Sequence, residues 1–273
     1  MAINYASKYS DVVDERFTQA SLTQAAINTE YDFQGVNTVN IYSIPTKPMN
    51  DYTSTGNQRY GVPEELQDEV QTLVMSQDRA FTFTIDRRNY LDTMMIKESG
   101  RALRRQLDEV TIPEIDKYRI ASITAGAGTT STVTPITKDN AYESFLTGVT
   151  TLLDNKAPLA GTFAFINSNF YKQIRLDTSF IKASDLAQDM LVRGQVGAID
   201  GIPLIFVPDS YFVSGTEFII TNRIATTAPT KISEYRVHEN PPGINGWLIE
   251  GRFYYDAFVL NNKAKVIYVH KGA

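Results

Sequence analysis

An irregular connection separates the first two strand-like segments of the chain, and its length limits the folds that the chain can adopt. Apolar and polar residues alternate over 39–42 and again over 80–86, so both segments predict strands with one wet face. Between them, residues 44–63 hold three prolines and two glycines, and the stretch 64–69 is acidic. A loop of more than about 15 residues without secondary structure is unusual in a compact domain. We therefore predict a projecting or functional loop.

After this loop, the spacing of apolar residues predicts a long helix over about 90–112. The apolar stripe of this helix consists of Leu91, Met94, Met95, Leu103, Leu107 and Val110. At the rise of an α-helix, such a segment is about 35 Å long. Pro113 is predicted to end or kink it, because proline lacks an N–H donor and its ring clashes with the preceding turn.

A second region follows residues 124–137, whose Thr, Ala, Gly and Ser content predicts a hinge or linker. Its predicted elements are a helix at 140–155, a strand at 162–166, a helix at 168–176 and strands at 202–207 and 217–221. These elements indicate a separate α+β lobe. The last two strand signals, 247–260 and 265–270, flank residues 261–263, whose sequence Asn-Asn-Lys favours a hairpin turn.

Composition narrows the chemistry that the chain can perform. The 273 residues include no cysteine and two histidines, and the formal net charge is -5. Disulfides, cysteine nucleophiles and cysteine-ligated metals are excluded, and two histidines cannot form a three-histidine metal site. The acidic balance argues against a protein whose main task is to grip nucleic acid. No signal-peptide pattern or membrane-length apolar run is present, so we expect a soluble, non-exported protein without membrane contact.

The motifs predict no catalytic, cofactor-binding or metal-binding residues. Residues 126–128, Gly-Ala-Gly, lack the third glycine and the lysine of nucleotide-binding loops, so a flexible linker is the favoured interpretation. His238 is favoured as a strand-to-turn residue, while a small hydrolase that uses it as a base stays an alternative. Arg101, Arg104 and Arg105 either pair with acidic residues three or four positions away or contact a neighbouring subunit.

Residues 1–34 have the character of an N-terminal arm. Tyr9, Val13 and Phe17 recur at the spacing of one helix face, which predicts a short helix. The segment 18–29 is dense in Asn, Gln, Ser and Thr and would form a poor core. We therefore expect the arm to become ordered only against something else.

Taken in order, these blocks resemble the major capsid proteins of tailed phages with the Hong Kong 97 (HK-97) fold. Residues 7–17 and 31–36 resemble an arm entering the first strand, and 41–44, 51–52, 59–61 and 81–86 resemble an extended E-loop and its return strand. Residues 107–110 and 112–118 resemble the end of the spine helix of a peripheral (P) domain. Residues 194–203 resemble an axial (A) domain, and 238–243 and 250–260 resemble closing P-domain strands. The resemblance therefore runs through nearly the whole chain.

The resemblance implies an α+β, HK-97-like capsid fold. Its parts are an N-terminal arm at 1–34, an E-loop with flanking strands at 35–86, a P-domain with a long spine helix at 87–135 and 231–273, and an A-domain at 136–230.

The resemblance also implies a structural, non-enzymatic role without cofactors. The implied protein is a major capsid (head) protein that packs as pentamers and hexamers into an icosahedral shell, encloses double-stranded DNA without sequence-specific binding, assembles in the bacterial host cytoplasm and resides in the virion. Its implied partners are further copies of itself, a portal and decoration proteins. The 34-residue arm leaves no room for a fused scaffolding domain, so a separate scaffolding protein is expected. An encapsulin-type nanocompartment shell shares the fold and stays the alternative.

Six residues are predicted to lie at interfaces between subunits: Lys47, Tyr52, Arg59, Arg101, Arg104 and Arg105. In the type member of the family, an E-loop lysine forms an isopeptide bond with an asparagine of another subunit. Lys47 is the only lysine between Lys8 and Lys97, and it lies in the E-loop region, so it is the candidate for such a cross-link. An ordinary exposed lysine beside two prolines is the alternative.

Overall fold

Two antiparallel strands, β1 (Thr38–Ser43) and β2 (Glu69–Val74), frame the long connection in the computed structural model. The structure describes residues 21–28, 38–66, 68–92, 99–177 and 197–272. Residues 33–75 form one unit, and the rest of the chain forms a second, larger one. The described residues between β1 and β2 contain no helix or strand. The predicted first strand and the irregular connection are therefore confirmed. The sequence pattern does not predict β2, because this strand begins in the acidic stretch 64–69.

The larger unit begins, in its described part, with the segment 21–28, and its regular elements follow in chain order. They are β3 (Gln77–Asp86), α1 (Arg87–Asp92), α2 (Ser99–Gln106), a π-helical turn (Leu107–Thr111), α3 (Ile112–Ala125), β4 (Thr129–Thr130), α4 (Ala141–Asp154), β5 (Thr162–Ile166), α5 (Ser168–Leu176), β6 (Ala198–Ile199), β7 (Ile202–Phe206), β8 (Thr216–Asn222), β9 (Thr226–Thr227), β10 (Thr230–Glu239), β11 (Gly246–Tyr255), β12 (Phe258–Val259) and β13 (Ile267–Lys271). Short 3-10 helices lie at Gln24–Ala26, Asp209–Tyr211, Arg223–Ala225 and Asn261–Val266.

An antiparallel three-stranded sheet, in the order β10-β11-β3, forms the first core. Side chains alternate between the two faces of a strand, so one face of β11 packs against the helical path from α2 to α3. The buried residues of this core are Ile85, Leu103, Leu107, Ile115, Tyr235, Ile249, Phe253 and Tyr255. Gly251 pairs with Phe81, and a Cβ at Gly251 would lie 2.4 Å from the Phe81 ring, so glycine is needed for the ring to cross the central strand.

The helix predicted over 90–112 forms in part, and of the two effects predicted for Pro113, an end or a kink, the end is wrong. Helical geometry runs without a break from α2 through the π-helical turn into α3, past Pro113. The N–H of Ile112 donates to the carbonyl of Leu107, five residues earlier, so the turn before the proline is wider than an α-helical turn. We infer that this widening accommodates the proline ring and its missing N–H, which would break a regular α-helix.

The predicted apolar stripe of this helix is only partly correct. Leu103 and Leu107 are buried, but Val110 is 46% exposed. Val110 lies in the π-helical turn, where each residue advances by a smaller angle than in an α-helix, so three-residue spacing no longer returns to the same face. The side chains of Leu91, Met94 and Met95 lie outside the described part of the structure.

A six-stranded sheet in the order β4-β13-β8-β5-β7-β6, with α4 and α5, forms the second core, and we call this region the sheet lobe. Phe145 and Leu152 of α4 and Phe170 of α5 pack against the strands. Asn167 caps α5 by accepting the N–H of Phe170 at 2.7 Å. The helices and strands predicted between 140 and 221 are thus confirmed.

The predicted terminal hairpin is wrong. β11 pairs with β10 and β3 in the three-stranded sheet, whereas β13 lies between β4 and β8 in the sheet lobe. A 3-10 helix at Asn261–Val266 carries the chain from one sheet to the other. Four successive residues of β13 are buried, so both of its faces need cover, and Ile267, Tyr268 and Val269 pack in the core of the sheet lobe.

The predicted hinge at 124–137 is also corrected. The N–H groups of Ser131 and Thr134 donate to the carbonyls of Val269 and Lys271, both at 2.9 Å, so this segment follows the edge of β13. A Cβ at Gly128 would lie 2.6 Å from the backbone of residue 264. The glycines at 126 and 128 therefore permit close packing rather than a flexible linker.

The segment 21–28 packs within the larger unit and buries Thr23, Ala26, Ile27 and Asn28, which corrects the expectation of a poor core for this part of 18–29. The Asp116 carboxylate of α3 accepts hydrogen bonds from the Ser21 hydroxyl at 2.6 Å, the Leu22 N–H at 2.8 Å and the Thr23 hydroxyl at 2.6 Å. Polar residues can be buried here because α3 supplies a charged acceptor. Residues 1–20, with the predicted arm helix, lie outside the described residues.

No helix in the described ranges combines the length and the apolar character that a membrane crossing requires.

Candidate functional site

The smaller unit exposes many large apolar side chains, which we call the loop surface. Its members are Tyr42, Ile44, Met49, Tyr52, Tyr60, Val62, Leu66, Val70 and Val74. Met49 is 99% exposed and Tyr60 is 84% exposed. Single exposed apolar residues are common, but a set gathered on one short unit is typical of an interaction surface.

One face of the β1–β2 pair contributes three members of the loop surface. Tyr42 pairs with Val70, and Thr38 pairs with Val74, in the antiparallel register. Because side chains on a strand alternate with a period of two, these residues lie on the same face. The Thr72 hydroxyl donates to Asn40 Oδ1 at 2.9 Å on that face, so the register is fixed by a polar pair between apolar neighbours.

The far part of the loop is held together by its own contacts. The Thr53 N–H donates to the carbonyl of Arg59 at 3.1 Å, and Arg59 Nε donates to the Gly56 carbonyl at 3.1 Å. Gly56 has φ +93°, a conformation that glycine adopts without strain. The rings of Tyr52 and Tyr60 meet edge to face at 5.1 Å. The predicted interface residues Tyr52 and Arg59 therefore lie together in this turn.

Lys47, the third predicted interface residue of the loop, forms an ion pair with Glu64 across the connection. The side chains of both residues are more than half exposed. Exposed ion pairs contribute little stability, so this contact leaves Lys47 accessible to solvent and to other chains. Whether Lys47 also forms a cross-link stays a prediction.

The three predicted arginines lie on α2, in the larger unit. Arg105 Nε donates to Glu109 Oε1 at 2.8 Å, which is the local pair with four-residue spacing that the sequence indicates. Arg104 is exposed, and the side chain of Arg101 lies outside the described part. The interface role of the three arginines stays a prediction.

The outer face of the three-stranded sheet carries charged pairs. Arg252 Nη2 lies 2.6 Å from Asp78 Oδ2, and this hydrogen bond lowers the pKa of Asp78. His238 Nε2 lies 3.4 Å from Glu250 Oε2, and both side chains are more than 40% exposed. His238 lies near the end of β10, and its use as a base by a hydrolase stays an untested alternative.

The second histidine is buried in the sheet lobe. The His270 ring stacks on Phe218 with a centroid distance of 4.8 Å, and Nε2 lies 3.0 Å from the carbonyl oxygen of Thr134. His270 Nδ1 is buried without a hydrogen-bond partner. Burial lowers the pKa of His270, although the Thr134 carbonyl and Glu217 oppose the change. No group of acidic or histidine side chains in the described ranges is arranged to hold a metal ion.

Sequence reasoning found the loop and three of its residues but missed most of the loop surface. Met49, Val62 and Leu66 are isolated apolar residues in a polar, proline-containing stretch, where no period marks them. Their only sequence signal is that large apolar side chains occur in a segment that cannot form a core.

Comparison with known proteins identifies the family of this chain. The family model described as phage capsid protein matches residues 69–269. No curated protein matches the chain by sequence.

Solved structures share the fold at low sequence identity. The structure of Mycobacterium phage Che8 is 18% identical with a TM-score of 0.72, over 91% of this chain and 90% of that one. The capsid structure of cyanophage P-SCSP1u is 12% identical with a TM-score of 0.64, over 87% and 84%. A virus-like particle from Pyrococcus furiosus is 10% identical with a TM-score of 0.61, over 98% and 100%.

The fold is thus the HK-97-like capsid fold that the resemblance implied, with mixed helices and sheets and a long helix that passes Pro113. The family match covers most of the chain. The chain belongs to the phage capsid protein family, and it is a capsid shell protein.

Proposed function

We propose that this chain is the major capsid protein of a tailed phage or prophage, which assembles as pentamers and hexamers into a closed icosahedral shell around double-stranded DNA. The observation that carries the proposal is the loop surface, on which Met49 and Tyr60 are almost fully exposed. Apolar surface of this kind is removed from water when neighbouring copies cover it. Many repeated contacts of moderate area then add up through multivalency.

The charge balance supports enclosure of DNA without tight binding. The chain has a formal net charge of -5, so its overall field does not attract phosphate groups. A shell that must hold a genome and later release it is compatible with this charge. Assembly in the host cytoplasm, without a cofactor or an enzymatic step, completes the proposal. Its further partners are a separate scaffolding protein, a portal and decoration proteins.

An encapsulin-type shell is the second candidate. The similarity to a virus-like particle from Pyrococcus furiosus spans that whole chain, so the same architecture occurs in a particle from a cellular organism. The two candidates share the loop surface and differ in the content of the shell. Particles isolated from the native source and treated with nuclease distinguish them, since a capsid retains protected double-stranded DNA and a nanocompartment retains a cargo protein.

Assembly itself is tested with the purified full-length chain by analytical ultracentrifugation and negative-stain electron microscopy. We expect capsomers or closed shells, alone or with a scaffolding protein. The double variant Met49→Asp/Tyr60→Asp should lose assembly, because charges on the loop surface oppose its burial. Ser54→Asp/Thr55→Asp is the matched control, since it adds the same charge at exposed polar positions of the same loop.

A wild-type chain that stays monomeric under all these conditions, including with scaffolding protein, would overturn the proposal. Normal shells from the Met49→Asp/Tyr60→Asp variant would show that the loop surface is not an assembly contact. Denaturing gels of mature particles test Lys47: a monomer band alone rules out the cross-link, and a ladder that Lys47→Arg abolishes establishes it.

A further inference from the structure

Asp256 is a buried carboxylate at which three parts of the larger unit meet. It follows β11 directly and is 3% exposed. Its Oδ2 accepts hydrogen bonds from the Ser76 N–H at 2.7 Å and the Ser76 hydroxyl at 3.0 Å. Its Oδ1 accepts from the Tyr118 hydroxyl and from the Ala257 N–H, both at 2.7 Å. Four short hydrogen bonds compensate the burial of this charge.

The hydrogen-bond partners of Asp256 lie on two different parts of the larger unit. Ser76 is the first residue after the smaller unit, and we call it the loop base. Tyr118 lies on α3, and its ring also meets Tyr255 edge to face at 5.8 Å. Burial and the Asp256 carboxylate raise the pKa of Tyr118, so the phenol stays protonated and remains a donor at neutral pH. One side chain therefore ties the loop base to the long helix.

We propose that Asp256 is a positioning residue for assembly, which fixes the loop base against α3 so that every copy presents its loop surface from the same starting point. This inference rests on the proposed shell function. A loop that is fixed at its base loses less conformational freedom when it binds a neighbour.

Substitution by asparagine separates this role from simple packing, because its shape is unchanged. An amide has one acceptor oxygen and one NH2 group, and each carboxylate oxygen of Asp256 now faces a backbone N–H, either that of Ser76 or that of Ala257. Whichever way the amide turns, one donor meets another donor. Asp256→Asn must therefore release one of these contacts, while Tyr118→Phe removes only the contact to α3.

The first measurement uses unassembled subunits and does not depend on shell formation. Hydrogen–deuterium exchange of a peptide covering 72–80 should be roughly tenfold faster in Asp256→Asn, since a hydrogen bond to a charged group is lost. Tyr118→Phe should show a smaller increase at the same peptide. Tyr268→Phe is the matched control, because it removes a buried tyrosine hydroxyl in the sheet lobe and should leave this peptide unchanged. Unchanged exchange in both Asp256→Asn and Tyr118→Phe would overturn the proposal.

The second measurement is the size distribution of assembled particles by electron microscopy. At equal subunit stability, Tyr118→Phe should give a broader distribution or more open shells than Tyr268→Phe. Equal distributions for these two variants would overturn the assembly role of Asp256. If the wild-type chain forms no shells, the shell function fails instead, while the exchange measurement still decides whether Asp256 holds the loop base.

Discussion

The sheet lobe and the loop surface use similar side chains in opposite ways. In the sheet lobe, Phe218 is fully buried and its ring lies 4.7 Å from that of Phe170. On the loop surface, Tyr60 is 84% exposed although its ring meets Tyr52. The first region covers its apolar side chains within one chain, whereas the second leaves them exposed to solvent. The contrast teaches that similar apolar side chains stabilise the fold in one region and are available for the proposed contacts with neighbours in the other.

The largest expected effect concerns the sheet lobe, whose apolar side chains are covered within one chain. Phe218→Ala should lower the free energy of unfolding by about 4 kcal/mol, because it removes a fully buried ring and leaves a cavity. Guanidinium denaturation of the unassembled chain measures the change. A loss of less than about 1 kcal/mol, within the range of surface substitutions, would show that the sheet lobe is not the stable core.

The segment 21–28 belongs to the predicted N-terminal arm but should be held as firmly as the sheet lobe. Asp116→Ala should lower the free energy of unfolding by about 3 kcal/mol, because it leaves the buried Arg119 guanidinium without its charged partner. Arg105→Ala, which breaks only the exposed pair with Glu109, is the control and should change it by about 0.5 kcal/mol or less. Equal effects of the two substitutions would mean that the segment is held as loosely as the surface.

A smaller effect depends on pH and concerns the buried His270. Its pKa is lower in the folded chain than in the unfolded chain, so the unfolded chain binds more protons as the pH falls below about 6.5. Stability should therefore decrease from pH 7.5 to pH 5.5. His270→Gln should flatten this decrease, as measured by urea denaturation at both pH values. An unchanged slope in the variant would show that His270 does not supply the pH dependence.

The smallest expected effect lies on the loop surface. Met49→Ala and Tyr60→Ala should each change the free energy of unfolding by less than about 0.5 kcal/mol, because both side chains are already in water. The same denaturation assay on unassembled chain is sufficient. Destabilisation comparable to that of Phe218→Ala would show that the loop surface is part of the fold rather than a contact for neighbours.

The sequence predicted the elements whose signal is local. The alternation at 80–86 and the spacing at 140–155 and 168–176 gave the correct strand and helices, because each buries one face against a core. The long polar connection was recognised because no element could contain it. The order of short segments along the chain also carried the resemblance that the family match confirmed.

The elements that the sequence misplaced depend on distant partners. The Asn-Asn-Lys stretch at 261–263 resembles a hairpin turn, yet β13 pairs with β8 and β4, because its buried side chains pack in the core of the sheet lobe. Pro113 resembles a helix end, yet the π-helical turn before it lets the helix continue. In both cases the local signal was real but was outweighed by packing.

The amino-acid sequence by itself determined that cysteine chemistry is absent, where the loop lies and which helices and strands form between 140 and 221. Only the tertiary structure decided how the buried charges are satisfied. Asp256 meets Ser76 across 180 positions of sequence, and Asp116 meets Thr23 across 93. No periodic pattern links residues so far apart, because a hydrogen bond between them exists only after helices and sheets have packed and brought donor and acceptor within about 3 Å.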